Sequence, residues 1–196
     1  MDIALVYLAS GKGRRFGSNK LLCSVGGRPL YQYGWTKLQR LQAAFGYRLL
    51  AVTAYPEILM YCNSQGGHAV YNEQADEGMA ASVRLGVQYA GQADAYAFFP
   101  ADQPLLQYDS IHSFLQGFAA SGKSAGAMTD GRHLMSPAVF SAVHCCELLQ
   151  LHGDVGGRHI LRAQGKNLWI YEPPRQELID VDTQETLHQL QHYLPF

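Results

Sequence analysis

Hydrophobic and polar positions in this chain switch repeatedly between two spacings, and each switch marks an element. Residues 3–8, Ile-Ala-Leu-Val-Tyr-Leu, form a short unbroken apolar run, the pattern of a strand buried on both faces. Short stretches, some less uniformly apolar, predict strands at 49–53, 68–71, 95–99, 124–128, 168–171 and 177–179. Between them the apolar spacing becomes helical. Pro29 opens a helix whose stripe carries Leu30, Trp35, Leu38 and Leu41, and 56–63 predicts a second. A helix opened near Gly78 carries Ser82, Leu85, Gly86 and Tyr89, and one at 110–120 aligns Ile111, Phe114, Leu115 and Phe118. Further helices are expected around 139–149, at 154–162 and from Gln184 onward. There is no repeat, low-complexity tract or linker, and Pro173-Pro174 reads as a turn. Alternating strands and helices predict one α/β domain over 1–196. Its mostly parallel sheet would open a ligand crevice at the carboxyl ends of the strands.

Composition narrows the class without choosing a function. Of the 196 residues, 47% are hydrophobic and 16% charged, which supports a packed core and argues against disorder. The formal net charge of −1 offers no global positive field, so neither nucleic acid nor a membrane is expected as partner. Four cysteines, Cys23, Cys62, Cys145 and Cys146, contain no C-x-x-C pair, and no secretory segment precedes the first strand. Reduced thiols in a cytoplasmic setting are the expectation, with Cys145-Cys146 packed in a helix. The eight histidines show no tight ligand spacing, and none is assigned to zinc.

The basic charge gathers where the first strand ends. Residues 9–20 read Ala-Ser-Gly-Lys-Gly-Arg-Arg-Phe-Gly-Ser-Asn-Lys. Gly11, Gly13 and Gly17 let backbone N–H groups converge on one point, and Lys12, Arg14, Arg15 and Lys20 surround it with positive charge. The natural guest is a polyanion such as a nucleoside triphosphate; a solvated surface loop is the alternative. Phe16 breaks the dinucleotide pattern G-x-G-x-x-G. A literal Walker sequence does occur at residues 117–124, but it closes a helix and leads into a strand, the reverse of the order phosphate binding requires. That match is accidental.

Leu8, Ala9, Gly11, Arg15, Gly17 and Lys20 fit the nucleotidyltransferase signature L-A-x-G-x-x-x-R-x-G-x-x-K, and the chain resembles the molybdopterin nucleotidyltransferases more specifically. Residues 72–83, with Asn72, Gly78 and Ser82, resemble a second family segment, and Pro100-Ala101-Asp102-Gln103-Pro104-Leu105 its acidic loop after a central strand. Segments 136–140, 152–158 and 179–183 complete the set in the expected order. The resemblance implies a Rossmann-like three-layer α/β/α fold and transfer of CMP or GMP to the phosphate of molybdopterin. CTP or GTP would be the donor, and a recipient molybdoenzyme a possible further partner.

The same resemblance distributes roles. Lys20 would face the α-phosphate and the nucleophile, Arg15 the leaving phosphates, and Gly11, Lys12 and Gly13 would add contacts to the nucleotide. Leu8, Ala9 and Ser10 would lie near the base, flanked with the ribose by Asn72, Gly78 and Ser82. A residue with a Cβ at Ser10 would narrow the pocket and favour CTP; Ser10 could equally satisfy a loop backbone group. Asp102, at a strand end beside phosphates, suits Mg²⁺, which takes a few carboxylates plus phosphate oxygens and water; it could instead hold its own loop. Asp182 is expected as a second metal-side carboxylate, on a strand shared with Asp180, although Thr183 could cap the last helix there. Asp154 and Arg158 are expected on the acceptor side, with a helix cap and an intrahelical ion pair as the local alternative. Other readings are a sugar-1-phosphate nucleotidyltransferase, a non-catalytic molybdopterin-binding chaperone, and a homologue that only binds nucleotide.

Overall fold

In the computed structural model, residues 1–11, 13, 16, 19–190 and 193 are described. The loop cations Lys12, Arg14 and Arg15 therefore lie outside the described residues, as do Gly17 and Ser18. In chain order the elements are β1 (Ile3–Ala9), β2 (Ser24–Val25), β3 (Arg28–Pro29), α1 (Tyr31–Phe45), β4 (Arg48–Thr53), α2 (Pro56–Ser64), β5 (His68–Tyr71) and α3 (Met79–Ala90). There follow β6 (Ala95–Pro100), α4 (Tyr108–Ser121), β7 (Ala125–Thr129), β8 (Leu134–Ser141), α5 (Cys145–Leu149), α6 (Arg158–Gln164), β9 (Trp169–Tyr171) and α7 (Gln184–Leu190).

Seven strands build the main sheet in the order β5-β4-β1-β6-β8-β7-β9. All neighbours pair in parallel except at β8, which runs antiparallel to both β6 and β7. The expected three-layer, mostly parallel α/β/α architecture is what the chain adopts. Alternate residues of β1 divide the core between two faces. Ile3, Leu5, Tyr7 and Ala9 pack with Trp35 and Leu38 of α1 and Phe114 and Phe118 of α4. Ala4 and Val6 pack with Val83 and Val87 of α3 and with Ile160 and Leu161 of α6. Strand β1 is thus buried on both sides, as its unbroken apolar run requires. Leu8 pairs with Pro100 and with Val52, so the loops after β1 and β6 leave the sheet side by side.

Several predicted elements need correction. The helix expected around 139–149 begins instead as the tail of β8, and only Cys145–Leu149 is α-helical. Pro137 hides this strand. On β7 the register jumps between Ala127, paired with Ala138, and Met128, paired with Met135, so Ser136 and Pro137 sit in an irregularity where no ladder N–H is needed. The strand expected at 177–179 is a 3-10 turn over Arg175–Leu178, closed by Glu177 N–H donating to Pro174 O at 2.9 Å. Asp180 and Asp182 therefore lie on no strand. Nor does a helix open at Asp154: α6 starts four residues later. The Walker-like stretch does close α4, and its Gly117 has a packing reason, since a Cβ there would come within 2.3 Å of the Trp169 ring.

Candidate active site

The loop after β1 returns to the protein body through three local anchors. Phe16 is buried in the core, its N–H donating to Gly13 O at 2.8 Å. Tyr55 donates its hydroxyl to Gly11 O at 2.7 Å. Asn19 caps the short 3-10 turn Lys20–Leu22 by accepting from Leu21 N–H at 3.1 Å, while the Leu21 side chain fills the core. A lysine on such a turn has little freedom. The Lys20 ammonium is buried and donates to Asp102 Oδ2 at 2.7 Å and to Asp182 Oδ1 at 2.9 Å. Burial alone would lower its pKa, but the two carboxylates outweigh that and hold it above the usual lysine value.

Asp102 follows β6 directly. Ala101 N–H still donates to Leu8 O at 3.0 Å, so the carboxylate is launched from the end of the sheet. Asp182 arrives from the other end of the chain. Val181 N–H donates to Asp102 O at 2.9 Å, which ties the 180–182 segment to the acidic loop and turns Asp182 toward Lys20. Thr183 meanwhile caps α7, accepting from Thr186 N–H at 3.1 Å. The helix cap is therefore present, whereas the strand expected to align Asp180 with Asp182 is not. Asp180 lies behind the pair, and its carboxyl is pushed up to about 6 by burial, then by Asp102 and Asp182, against the Gln103 hydrogen bond and Lys20.

That shift has a sign. A carboxyl whose pKa is raised on folding binds protons better in the native state, so its contribution to stability falls as pH rises from about 4 through about 6. Asp180→Asn should remove this loss. The variant's melting temperature, measured against the parent, should rise between pH 4 and pH 7; a constant difference across that range would contradict the assignment.

The cleft above Lys20 has a volume of about 500 Å³ and is lined by Leu8, Ser10, Gly11, Gly78, Ser82 and Asp102, among others. Ala9 is fully buried, its carbonyl accepts from Thr53 Oγ1 at 3.0 Å, and it does not line the cleft. Behind the wall, Asn72 donates to Ser82 Oγ at 3.0 Å and to Ser10 Oγ at 3.4 Å, and Ser10 donates to Val52 O at 3.2 Å. Asn72 itself does not line this cleft; it holds the two serines that do. The Ser10 hydroxyl thus satisfies backbone, but in strand β4 rather than in its own loop.

A groove of about 440 Å³ continues from the cleft past Met79, Pro100 and Asp154. Its floor includes Phe98 and Phe140, and its rim Arg158, His159 and Arg162. Asp154 stands between the two spaces. It accepts from Met79 N–H at 3.4 Å, while Gly153 O accepts from Ala80 N–H at 3.1 Å, so the loop caps α3 rather than its own helix. Gly78 permits the close approach. Its φ is +96°, and a Cβ would meet Gly153 O at 2.7 Å. Among the ion pairs of the described residues there is none between Asp154 and Arg158, and Arg158 lines the groove.

Residues given no site role from the sequence also shape the site. Gln103 and Asp180 back the acidic pair, joined by a hydrogen bond of 2.9 Å. Lys37 donates to Pro104 O at 2.7 Å; burial, helped by Arg28 and opposed by Glu177, brings its pKa down to about 8. Polar residues inside a Pro-bounded loop and on a helix's apolar side were the available signals. Among the described residues no group of three or more His, Cys, Asp or Glu side chains is arranged to hold a metal unaided, and no helix is long and apolar enough to cross a membrane.

A family model described as the MobA-like NTP transferase domain matches residues 5–168. The purine catabolism protein PucB of Bacillus subtilis is 28% identical over 92% of this chain and 91% of its own length. A nucleotidyl transferase from Methanothermobacter thermautotroptrophicus, Mth528, has a similar fold, with a TM-score of 0.80, 19% identity, and 98% and 97% of the two chains covered. Rv0371c of Mycobacterium tuberculosis, in a structure with manganese, superposes with a TM-score of 0.77 at 19% identity over 99% of this chain and 100% of its own.

Proposed function

Because this chain belongs to the MobA-like NTP transferase domain family, we propose that it transfers a nucleoside monophosphate from CTP, less readily from GTP, to the phosphate of molybdopterin. The observation that carries this reading is the Lys20 ammonium held between Asp102 and Asp182 on the floor of a cleft open to the backbone at Gly11.

The chemistry asks little of any single nucleophilic side chain. A phosphate monoester is already anionic, so its oxygen attacks the α-phosphorus, the bond to the bridging oxygen breaks, and pyrophosphate leaves with the electron pair. The protein has to lower the repulsion between two anions and stabilise the leaving charge. Lys20 serves the first task, as a buried cation at the point where the cleft meets the acidic loop. Arg15, outside the described residues, is assigned to the leaving phosphates. A divalent cation such as Mg²⁺ fits the donor set, because two carboxylates meet at one place and such ions take one or two carboxylates with phosphate and water oxygens. Asp102 and Asp182 would hold it, and when bound it neutralises phosphate oxygens on the donor. That Rv0371c forms a complex with manganese supports the use of a divalent ion.

Base choice rests on Ser10. Its hydroxyl is engaged with Val52 O, so toward the cleft it offers bulk, which favours a pyrimidine over a purine. The acceptor is assigned to the adjoining groove, where Arg158 suits a phosphate and the apolar floor a planar ring. Pyrophosphate release should be measured with CTP and GTP, each against molybdopterin, glucose-1-phosphate and no acceptor. CTP with molybdopterin should be fastest. Faster turnover with GTP would overturn the base assignment, and turnover with the sugar phosphate alone would overturn the acceptor. Nucleotide binding with no pyrophosphate in any combination would leave a binding protein.

A further inference from the structure

Gln103 is 3% exposed, yet its amide joins three segments distant in sequence. Nε2 donates to Asp180 Oδ1 at 2.9 Å and to Ser136 O at 3.3 Å. Its own backbone belongs to the acidic loop, next to Asp102. Oε1 is buried and has no hydrogen-bond partner. Turning the amide over would set that oxygen against two others, so the orientation is determined. An unpartnered buried oxygen costs stability, and a leucine of similar volume would avoid that cost. Packing alone therefore does not account for this side chain. Its two bonds do something more specific: they fix the stretch that carries Asp182 against the loop that carries Asp102, with Ser136 contributing from the wall of the groove.

We infer that Gln103 is a positioning residue, which through Asp180 holds Asp182 in register with Asp102 so that the two carboxylates can share one divalent cation. This deepens the transferase reading and rests on it. Gln103→Leu removes both hydrogen bonds at nearly constant volume, and Gln103→Asn shortens the reach by one methylene. Two measurements apply to the full chain. Mn²⁺ binding in the presence of a non-hydrolysable CTP analogue, followed by electron paramagnetic resonance, should weaken about tenfold in either variant. Deuterium uptake should accelerate in peptides covering 178–183 and little elsewhere, because the segment is then tied to the acidic loop by the Val181 N–H to Asp102 O bond without the Gln103–Asp180 bond and opens more readily. A residue that merely stabilised the fold would raise uptake throughout and leave metal affinity unchanged.

Mn²⁺ affinity within twofold of the parent in a folded variant would overturn the inference, as would loss of fold in both variants. Failure of the parent chain itself to bind Mn²⁺ with nucleotide would instead remove the transferase reading. Local exchange at 178–183 would then still report whether the clamp exists.

Discussion

Asp102→Asn should slow nucleotidyl transfer by roughly a hundredfold while leaving the protein folded. The change deletes one charge and almost preserves shape. Opposite unit charges ~4 Å apart attract by roughly 4 kcal/mol at an effective dielectric of about 20. A net loss of ~3 kcal/mol in the transition state corresponds to roughly a hundredfold in rate. Stability should change less, because Asp102 sits among opposing neighbours. It attracts Lys20 but repels Asp180 and Asp182, and Lys20 keeps Asp182 as a partner when Asp102 is lost. Steady-state pyrophosphate release across a Mg²⁺ titration checks this, with a thermal melt as control. Near-normal turnover with the usual Mg²⁺ response would mean that the metal is held elsewhere.

Lys20→Met should be more damaging, by roughly a thousandfold in turnover, in the range seen when a preorganised charge-stabilising group is removed. Its second effect has the opposite direction. In the structure the ammonium occupies the meeting point of Asp102 and Asp182, so it competes with any other cation for those oxygens. Without it the two carboxylates repel, and a divalent ion relieves that repulsion. Mn²⁺ affinity without nucleotide should rise even as turnover collapses. Turnover within tenfold of the parent would defeat the role given to Lys20, and weaker Mn²⁺ binding would defeat the idea of competition.

Much of this arrangement was legible before any coordinates because it is carried by local pattern. The unbroken apolar run of β1 and the similar runs of β4 and β6 record burial in consecutive residues, and the stripes of α1 and α4 record it at helical spacing. The loop after β1 and Asp102 after β6 could be put on one sheet edge from those elements alone. Strand β8 escaped because its signal is interrupted: Ser136 and Pro137 occupy a register irregularity, and five of its eight residues are only partly buried. The β2–β3 hairpin carried a usable sign that was not read, the Gly26-Gly27 pair, both at positive φ. Asp182 was expected near Asp102 through family likeness and for a wrong local reason, an alternating strand. What delivers it is a long-range bond from Val181 N–H to Asp102 O, which no short-range period encodes. Gln103 was equally opaque, since its partners lie 33 and 77 residues away.

The two carboxylates that Lys20 bridges lie very unequal distances along the chain, 82 and 162 residues downstream. A ribosome working at ~5–20 residues per second needs roughly 8 to 30 s to travel from Lys20 to Asp182. During that interval the nascent chain already carries its basic loop, and later its first acid, but not the second. A growing polypeptide therefore lacks the second partner of Lys20, and the proposed metal and triphosphate centre can close only once Asp182 has been made.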